Sequence, residues 1–397
     1  MTSALEGIKV LDITGMGPAS YAAQILGDMG AEVIKISQPP KNASRGVGQG
    51  VEFLEGMDAS VSFDTLRNKK NMGINLKTEA GHGLFSRMAE TSDVILESFR
   101  PGVMDRLGLG YEEMARINPR IIYCSVSGYG QDSPYRDLPG HDANYAGMGG
   151  ALGIIGSSKD APPVFAQNIV ADFTTAILQA AIGILLAVCA RERTGRGQSV
   201  DISMTDGALS TLNIVPEAMD FLIRGVVSKR GEGLFSGTQP WYSAYQTSDD
   251  KYLTLCPLEP HFWQNMCRAI DREDLIARQY SQEHDEIFEE LRPIFRSKTR
   301  DEWFDLLARA DVPVGKVMDV DEVFSEPNVI HRQMVVEVDH PRYGKMKQLG
   351  FPIKFSDTPW QIQVPPARLG EHTDEVVSAL GYSPEEIKQM REDGDIC

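Results

Sequence analysis

Histidine is the side chain best suited to exchanging a proton near neutral pH. His141 stands in a loop phrase, PGHDANY, between Gly140 and Asp142. Taken alone it serves equally well as a turn histidine bonded to a backbone carbonyl. Asp172 opens an apolar stretch, FTTAILQAAIGILLAVCA (173–190). Aspartate is a common helix N-cap, and a helix N-terminus also favours the ionised carboxylate that a general base or an acyl-accepting nucleophile requires. Glu259, in PLEPHFW, precedes a proline at a helix entry, where a solvated acid is common. An imidazole and a carboxylate on opposite sides of a carbon can remove a proton from one face and return one on the other, whereas a lone carboxylate can attack an activated acyl group. Asp142 adjoins His141 in sequence, but loop neighbours need not face each other, so its expected role is to position backbone.

Other chemistries fail on residue type. GMGPAS (15–20) follows a strand-like run and opens a helical one, as a dinucleotide-binding turn does. Ser20 replaces the third glycine, Pro18 sits in the turn, and the next strand ends in Ile36 and Ser37 without the acid that would hold a ribose. GxxxxGK[ST], HExxH and GxSxG are absent, which removes the usual nucleotide, zinc-protease and hydrolase readings. The five cysteines, Cys124, Cys189, Cys256, Cys267 and Cys397, are odd in number and form no CxxC pair, so neither a disulfide framework nor a zinc site is expected, and a reducing cytoplasm fits them.

The elements that must hold these residues follow from pattern. At 397 residues and 42% hydrophobic, the chain can bury at least one full core. A net charge of −17 and a pI near 4.9 argue against nucleic acid or an anionic membrane as partner, leaving room for a local basic pocket. The N-terminus lacks the basic, apolar, small-residue succession of a signal peptide. The 173–190 stretch approaches the length of a minimal bilayer span, yet its threonines, Gln179, the preceding Asp172 and the closing Arg191 and Arg193 before a glycine predict a buried helix. IKVLDI (8–13), a helix over 19–29, EVIKI (32–36), GLFSRMAE, DVILE and IIYCSVS alternate short apolar runs with helical patterns, predicting an α/β layer with a mostly parallel sheet. A second helix is expected over 204–223, a linker at SKRGEGLFSG (228–237), strands at WYSAYQT and KYLTLCP, and several helices over 260–310. The strand-like VVEV and MKQLGFPIKF and a terminal helix follow. The expected partition is a large α/β domain over 1–200, linker helices over 201–230, a small α+β domain over 231–328 and a return to the large domain over 329–397.

Several phrases occur in order: GMGPASYAAQILGDMGAEVIKI (15–36), LRNKKNMGINLK (66–77), ESFRPGVMDRLGLG (97–110), SGYGQDSPYRDLPGHDANY (127–145), NIVADF (168–173), TGRGQSVD (194–201) and PLEPHFW (257–263). Together they resemble the class III CoA-transferases and 2-methylacyl-CoA racemases over nearly the whole chain. That resemblance implies a Rossmann-like large domain built from both ends of the chain, a smaller domain between them, and a homodimer of interlocked subunits. It implies a coenzyme A thioester as substrate and no permanently bound cofactor or metal. The thioester would be recognised at positions matching Ile74, Asn75, Leu76 and Lys77, at Ser98, Phe99 and Arg100, at Arg106, and at Gly140, Asp142, Ala143, Asn144 and Tyr145, the basic members meeting phosphates.

The resemblance also assigns roles. His141 matches a catalytic histidine of the racemases, where the transferases more often have tyrosine. Asp172 matches the aspartate that is base in one subfamily and nucleophile in the other, and Glu259 matches a glutamate supporting the histidine. The chain departs from the pattern in two places. Gln38 replaces an arginine that contacts a phosphate, with Lys35 or Lys41 as candidate substitutes, and Thr174 and Thr175 replace two glycines and should narrow the acyl space. The glycine-rich loop of the transferases is here FSGTQPWY, with Gly237 its only glycine. The expected activity is therefore racemisation of a 2-methylacyl-CoA by two bases. The alternative is CoA transfer through an anhydride and an aspartyl-CoA thioester on Asp172.

Overall fold

The computed structural model describes residues 3–15, 19–39, 67–341 and 344–397. Lys41 and Pro18 lie outside them. The chain divides into two compact units, one comprising Met1–Gly149, Ala166–Ser210 and Gln333–Cys397, the other Gly150–Phe165 and Thr211–Arg332. This departs from the sequence partition. Residues 150–165 belong to the second unit, and the 201–230 segment is divided between the two.

The first unit is built on six parallel strands: β1 (Lys9–Asp12), β2 (Glu32–Ser37), β3 (Lys70–Gly73), β4 (Val94–Glu97), β5 (Ile122–Ser127) and β6 (Ser199–Ser203). Their order is β3-β2-β1-β4-β5-β6, so the chain reverses direction across the sheet between β1 and β4. Ligands of such sheets bind at the carboxyl ends of the strands flanking that reversal. VILE and IYCSVS are buried throughout, as strands covered on both faces require. Alternation then divides the core. Leu11, Ile34, Ile95 and Tyr123 join one cluster with Leu84, Phe85, Met88, Val377 and Ile387. Val10, Val33, Leu96 and Cys124 join the other with Ala22, Leu26, Ala180 and Ile184. One layer therefore comes from the helix Glu79–Glu90, N-capped by Thr78, together with the C-terminal helices Thr373–Ala379 and Pro384–Asp393. The other comes from Ala19–Asp28 and Ile177–Thr194.

The return of the chain is locked by polar contacts. Asn68 adopts φ 61°, a left-handed conformation asparagine tolerates. Its amide donates to Asp28 and to the Gln361 carbonyl, both at 2.7 Å, and its Oδ1 accepts the Gln363 and Val364 N–H groups at 2.7 and 3.1 Å. Arg67 meets the same Asp28 carboxylate with two nitrogens, at 2.9 and 2.7 Å. At the far end Ile74 bridges Ile396, and the Asn75 N–H donates to the Asp395 carbonyl at 2.7 Å.

Several expectations change. The long helix is buried only on the face carrying Ile177, Ala180, Ala181, Ile184, Ala187 and Arg191; Leu178, Ile182 and Leu186 are exposed in the single chain. Ile169–Thr194 is long and apolar enough to cross a membrane, with mean hydropathy 2.1, but Arg191 is buried within the unit and paired with Asp93 at 2.8 Å. The helix expected over 204–223 breaks into Met204–Ser210, a 3-10 turn and Pro216–Arg224, because Pro216 cannot continue the preceding ladder.

In the second unit β7 (Ser243–Gln246), β8 (Tyr252–Leu255) and β9 (Val314–Lys316) form an antiparallel sheet. The helices Pro260–Ala269, His284–Phe295 and Arg300–Arg309 share a core with it around Trp263, Phe295 and Trp303. The stretch read as a linker is anchored here. Arg230 donates to the Ser158 and Ala161 carbonyls, at 3.2 and 2.5 Å. A two-stranded ribbon, β10 (Val335–His340) with β11 (Gly344–Leu349), belongs to the first unit.

Asn68→Ala should lower stability by on the order of 2–4 kcal/mol, since several buried polar groups lose partners at once. Urea unfolding measures it. A loss below about 0.5 kcal/mol, the size of an ordinary surface substitution, would show that these bonds do not hold the C-terminal return.

Candidate active site

The loop carrying His141 and the turn carrying Asp172 are joined by a third residue, Asp142. His141 is exposed and precedes the short helix Asp142–Met148. Its carbonyl accepts the Asn144 N–H at 2.8 Å, and its own N–H donates to Asn144 Oδ1 at 3.0 Å, which fixes the backbone and leaves the imidazole outside. Asp142 is 4% exposed, and its Oδ1 accepts the N–H groups of both Ala171 and Asp172, at 2.7 and 2.9 Å. One carboxylate thus ties the two segments together.

The Asp172 turn is not the start of an α-helix. Ile169–Ala176 winds as a π-helix, with the Phe173 N–H reaching back five residues to the Asn168 carbonyl at 3.3 Å, and Asn168 ahead of it at φ 60°. Such turns gather at functional sites. The expected electrostatics are reversed as well. Burial raises the Asp172 pKa from 3.8 to about 6, the neighbouring Asp142 adds to the rise, and His141 partly offsets it. Asp172 Oδ1 is buried and has no hydrogen-bond partner among the described residues. The N–H groups of Ala171 and Asp172 are occupied by Asp142. Of the two threonines, Thr175 is buried, donates to the Ala171 carbonyl at 2.8 Å and abuts Gly207 on the helix Met204–Ser210, so it packs inward; Thr174 is exposed.

Tyr145 links this centre to the sheet. Its hydroxyl donates to the Gly140 carbonyl at 2.5 Å and its ring stacks edge-on against Tyr129, 5.2 Å between centroids. A Cβ on Gly128 or Gly140 would stand 2.3 or 2.6 Å from that ring, so a side chain at either position would have to displace Tyr145. Burial, then Asp172 and Tyr129, push the phenol up to about 12 against the pull of Arg100, which puts Asp172 and Arg100 within electrostatic reach of one ring.

The remaining expected residues stand at strand ends. Ser98, Phe99 and Arg100 follow β4 beside the reversal point, where the Gly15 N–H donates to Ser98 Oγ at 3.3 Å. Ile74, Asn75, Leu76 and Lys77 follow β3; Ile74 and Leu76 are core residues, so only their backbone can meet a ligand, while Lys77 is exposed. Asp142 and Asn144 spend polar atoms inside the loop, and Ala143 is half-buried. Arg106 lies on the turn Val103–Arg106. A Cβ on Gly102 would be 3.3 Å from Arg106 Nη1 and 3.4 Å from Arg136 Nη2, so two guanidiniums converge there. Arg136 was missed in the sequence, although it sits in the quoted SPYRD phrase.

Lys35 cannot substitute for the missing phosphate arginine. It is 2% exposed and bonded to Thr14 and to Asp12, the latter at 3.4 Å. Burial would raise Asp12, but Lys35, Lys69 at 2.9 Å and the Thr14 hydroxyl outweigh it and bring the carboxyl down to about 2. Glu259 belongs to the second unit, exposed at the N-cap of Pro260–Ala269. A cavity of about 750 Å³ in that unit, bordered by Arg230, Arg292 and Arg296, contains none of the expected catalytic or thioester-binding residues.

Known proteins resemble the chain over nearly its whole length. The model of CoA-transferase family III aligns with residues 5–373. The chain belongs to CoA-transferase family III. Among relatives of this family III chain, an acyl-CoA transferase of Fusarium pseudograminearum is 33% identical, with 99% of this chain and 88% of that protein covered. The human alpha-methylacyl-CoA racemase is 30% identical, with coverage of 98% and 97%. A CaiB/BaiF family protein from Brucella suis superposes with a TM-score of 0.78 at 26% identity, covering 96% of this chain and 100% of that one. Both chemistries are thus present among the relatives of this family III enzyme.

Asp142→Asn keeps an oxygen for the two N–H groups and removes the charge beside Asp172. The acid limb of kcat/KM against pH should move down by about one unit, the size of a single close like-charge effect. An unmoved limb with activity reduced equally at every pH would make Asp142 a backbone acceptor only.

Proposed function

We propose that this family III enzyme is a 2-methylacyl-CoA racemase. The observation that carries the reading is the Asp172 carboxyl, buried beside His141 and brought to about pKa 6 by burial and Asp142. A base that must also return a proton works best when its pKa lies near the operating pH. At neutral pH Asp172 is mostly ionised and can take the proton next to the thioester carbonyl; the electron pair moves onto the thioester oxygen as an enolate. The imidazolium of His141 then gives a proton to the opposite face. The reverse direction exchanges the two roles.

Glu259 is assigned the support of the imidazole by resemblance. Coenzyme A would be held at the ends of β3 and β4, with Arg100, Arg106 and Arg136 meeting its phosphates. The convergence of two guanidiniums at Gly102 supports this, because like charges are brought together where an anion can neutralise them. A homodimer with interlocked subunits is part of the proposal, and the exposed Leu178, Ile182 and Leu186 support a covered face. Cytoplasmic residence is supported by five free cysteines. CoA transfer remains the second reading, favoured by the unpartnered Asp172 Oδ1, an available nucleophile.

Incubation of one enantiomer of a 2-methylacyl-CoA in deuterated water, with no acceptor acid, should place deuterium at C2 and erase stereochemical purity. His141→Ala should suppress exchange from one enantiomer more than from the other. Acid-dependent CoA exchange without deuteration, and an acyl-enzyme at Asp172 trapped by hydroxylamine, would assign the chain to the transferases.

Arg106→Ala should weaken CoA binding by on the order of 1.5–3 kcal/mol while sparing a short thioester that lacks the nucleotide. Equal losses for both ligands would make Arg106 structural. Mass photometry at nanomolar dilution should find only dimer; a folded, active monomer would remove the interlocked architecture.

A further inference from the structure

Glu97 takes no part in the proton transfer, yet it lies beneath the turn assigned to coenzyme A. It ends β4 and its side chain is almost wholly buried, 4% exposed. Its Oε2 accepts the Phe99 N–H at 2.7 Å, closing the backbone around Ser98, whose hydroxyl in turn accepts the Gly15 N–H. Ser125, on β5, gives it a side-chain hydrogen bond. The titratable groups around it are Asp105 from the turn Val103–Arg106, Asp201 from β6, and Tyr123 and Cys124 from β5. Among the described residues none forms an ion pair with Glu97. Burial brings Glu97 from 4.5 to about 7, Asp105 and Asp201 add to the rise, and the bonds from Ser125 and Phe99 oppose it. A buried carboxyl without a cationic partner is expensive to keep where an apolar residue would pack. Its backbone bond goes to the turn between β4 and Arg100, at one of the two strand ends that flank the reversal.

We propose that Glu97 is a positioning residue for coenzyme A: as the carboxylate it holds the Phe99 N–H and sets the 98–100 turn, and as the free acid it holds that turn less firmly. The idea rests on the assignment of the turn to coenzyme A. An anionic acceptor makes a shorter, stronger bond to a backbone N–H than a neutral one. Affinity should therefore rise as pH increases through the ionisation of Glu97. Electrostatic repulsion between Glu97 and the ligand phosphates would act the other way; the intervening turn and the cationic Arg100 weaken that opposing effect.

The test is calorimetric titration of free coenzyme A into the full-length protein between about pH 5.5 and 8.5, a range that brackets this ionisation. Wild type is compared with Glu97→Gln, and Arg100→Ala serves as control for the ligand assignment. Coenzyme A carries a phosphate that also titrates here, with a second pKa near 6, but it cancels in the ratio of mutant to wild-type Kd. That ratio should approach unity at the acid end and rise to about tenfold at the alkaline end, the size of one charge-assisted bond. Ser125→Ala, which removes a donor to the carboxylate, should move the midpoint of the wild-type curve to higher pH, a displacement that a purely structural role would not produce. A flat ratio, or one that falls with pH, while Arg100→Ala still weakens binding, overturns the role of Glu97 alone. If Arg100→Ala binds as wild type does, or wild type binds no coenzyme A, the ligand assignment falls and this proposal with it.

Discussion

Two backbone N–H groups meeting one buried carboxylate, that of Asp142, are the contact on which the rest of the site depends. A π-helical turn shifts the bonding ladder by one residue and needs outside acceptors at its start. Asp142 supplies them from a loop some thirty positions earlier in the chain, at sequence separations of 29 and 30. The same charge stands beside Asp172 and adds to the rise in pKa that burial begins, so one residue bears both on where the acid lies and on how readily it holds a proton. An asparagine could provide the geometry; the charge is what makes the second effect.

The sheet supplies the other half. A reversal between β1 and β4 opens a crevice at the strand ends, with the turn after β4 beside it and the turn after β3 at the same end of the sheet. Beneath the crevice the Asp12 carboxylate pairs with both Lys35 and Lys69, at 3.4 and 2.9 Å. Those lysines are consequently spent on holding β1, β2 and the strand after Lys69 in register, and are withdrawn from ligand binding. This is why Lys35 does not replace an arginine at position 38. The arginines proposed to meet phosphate are instead Arg100, Arg106 and Arg136, whose backbones lie after β4 and in the loop before His141.

Much of this was legible in the residues. Short apolar runs separated by helical patterns named β1, β2, β4 and β5, because a strand covered on both faces has little freedom of composition. The two edge strands were not foreseen: β3, KNMG, is short and opens on a lysine, and β6, SVDIS, is polar and half-exposed. Pro216 in the expected 204–223 helix was a visible stop that the apolar pattern overrode. The π-turn was not legible at all, since NIVADF carries the same apolar spacing whether it winds with four- or five-residue bonds. The sign of the Asp172 shift was lost with it: the argument from a helix N-terminus left out burial, the largest cause of the rise, and the neighbouring charge of Asp142. Arg136 escaped because its significance lies in Gly102, far away in sequence, around which it meets Arg106.

A carboxyl poised near pKa 6 bears differently on the two chemistries. A nucleophile that attacks a thioester needs only to be ionised, and any carboxylate of ordinary pKa is ionised at neutral pH; raising its pKa costs folding free energy. That cost has a direction. With the folded pKa above the unfolded one, the cost is absent below about pH 4 and grows to its full size as pH rises through about 6. A base that must release its proton to the opposite face of the same carbon in the reverse reaction does gain, because the protonated form has to be reachable. The expense of burying Asp172 beside Asp142 is thus better matched to proton exchange than to acyl capture. In the proposed racemisation, the imidazole of His141, at the end of the segment that Asp142 anchors, is the complementary acid.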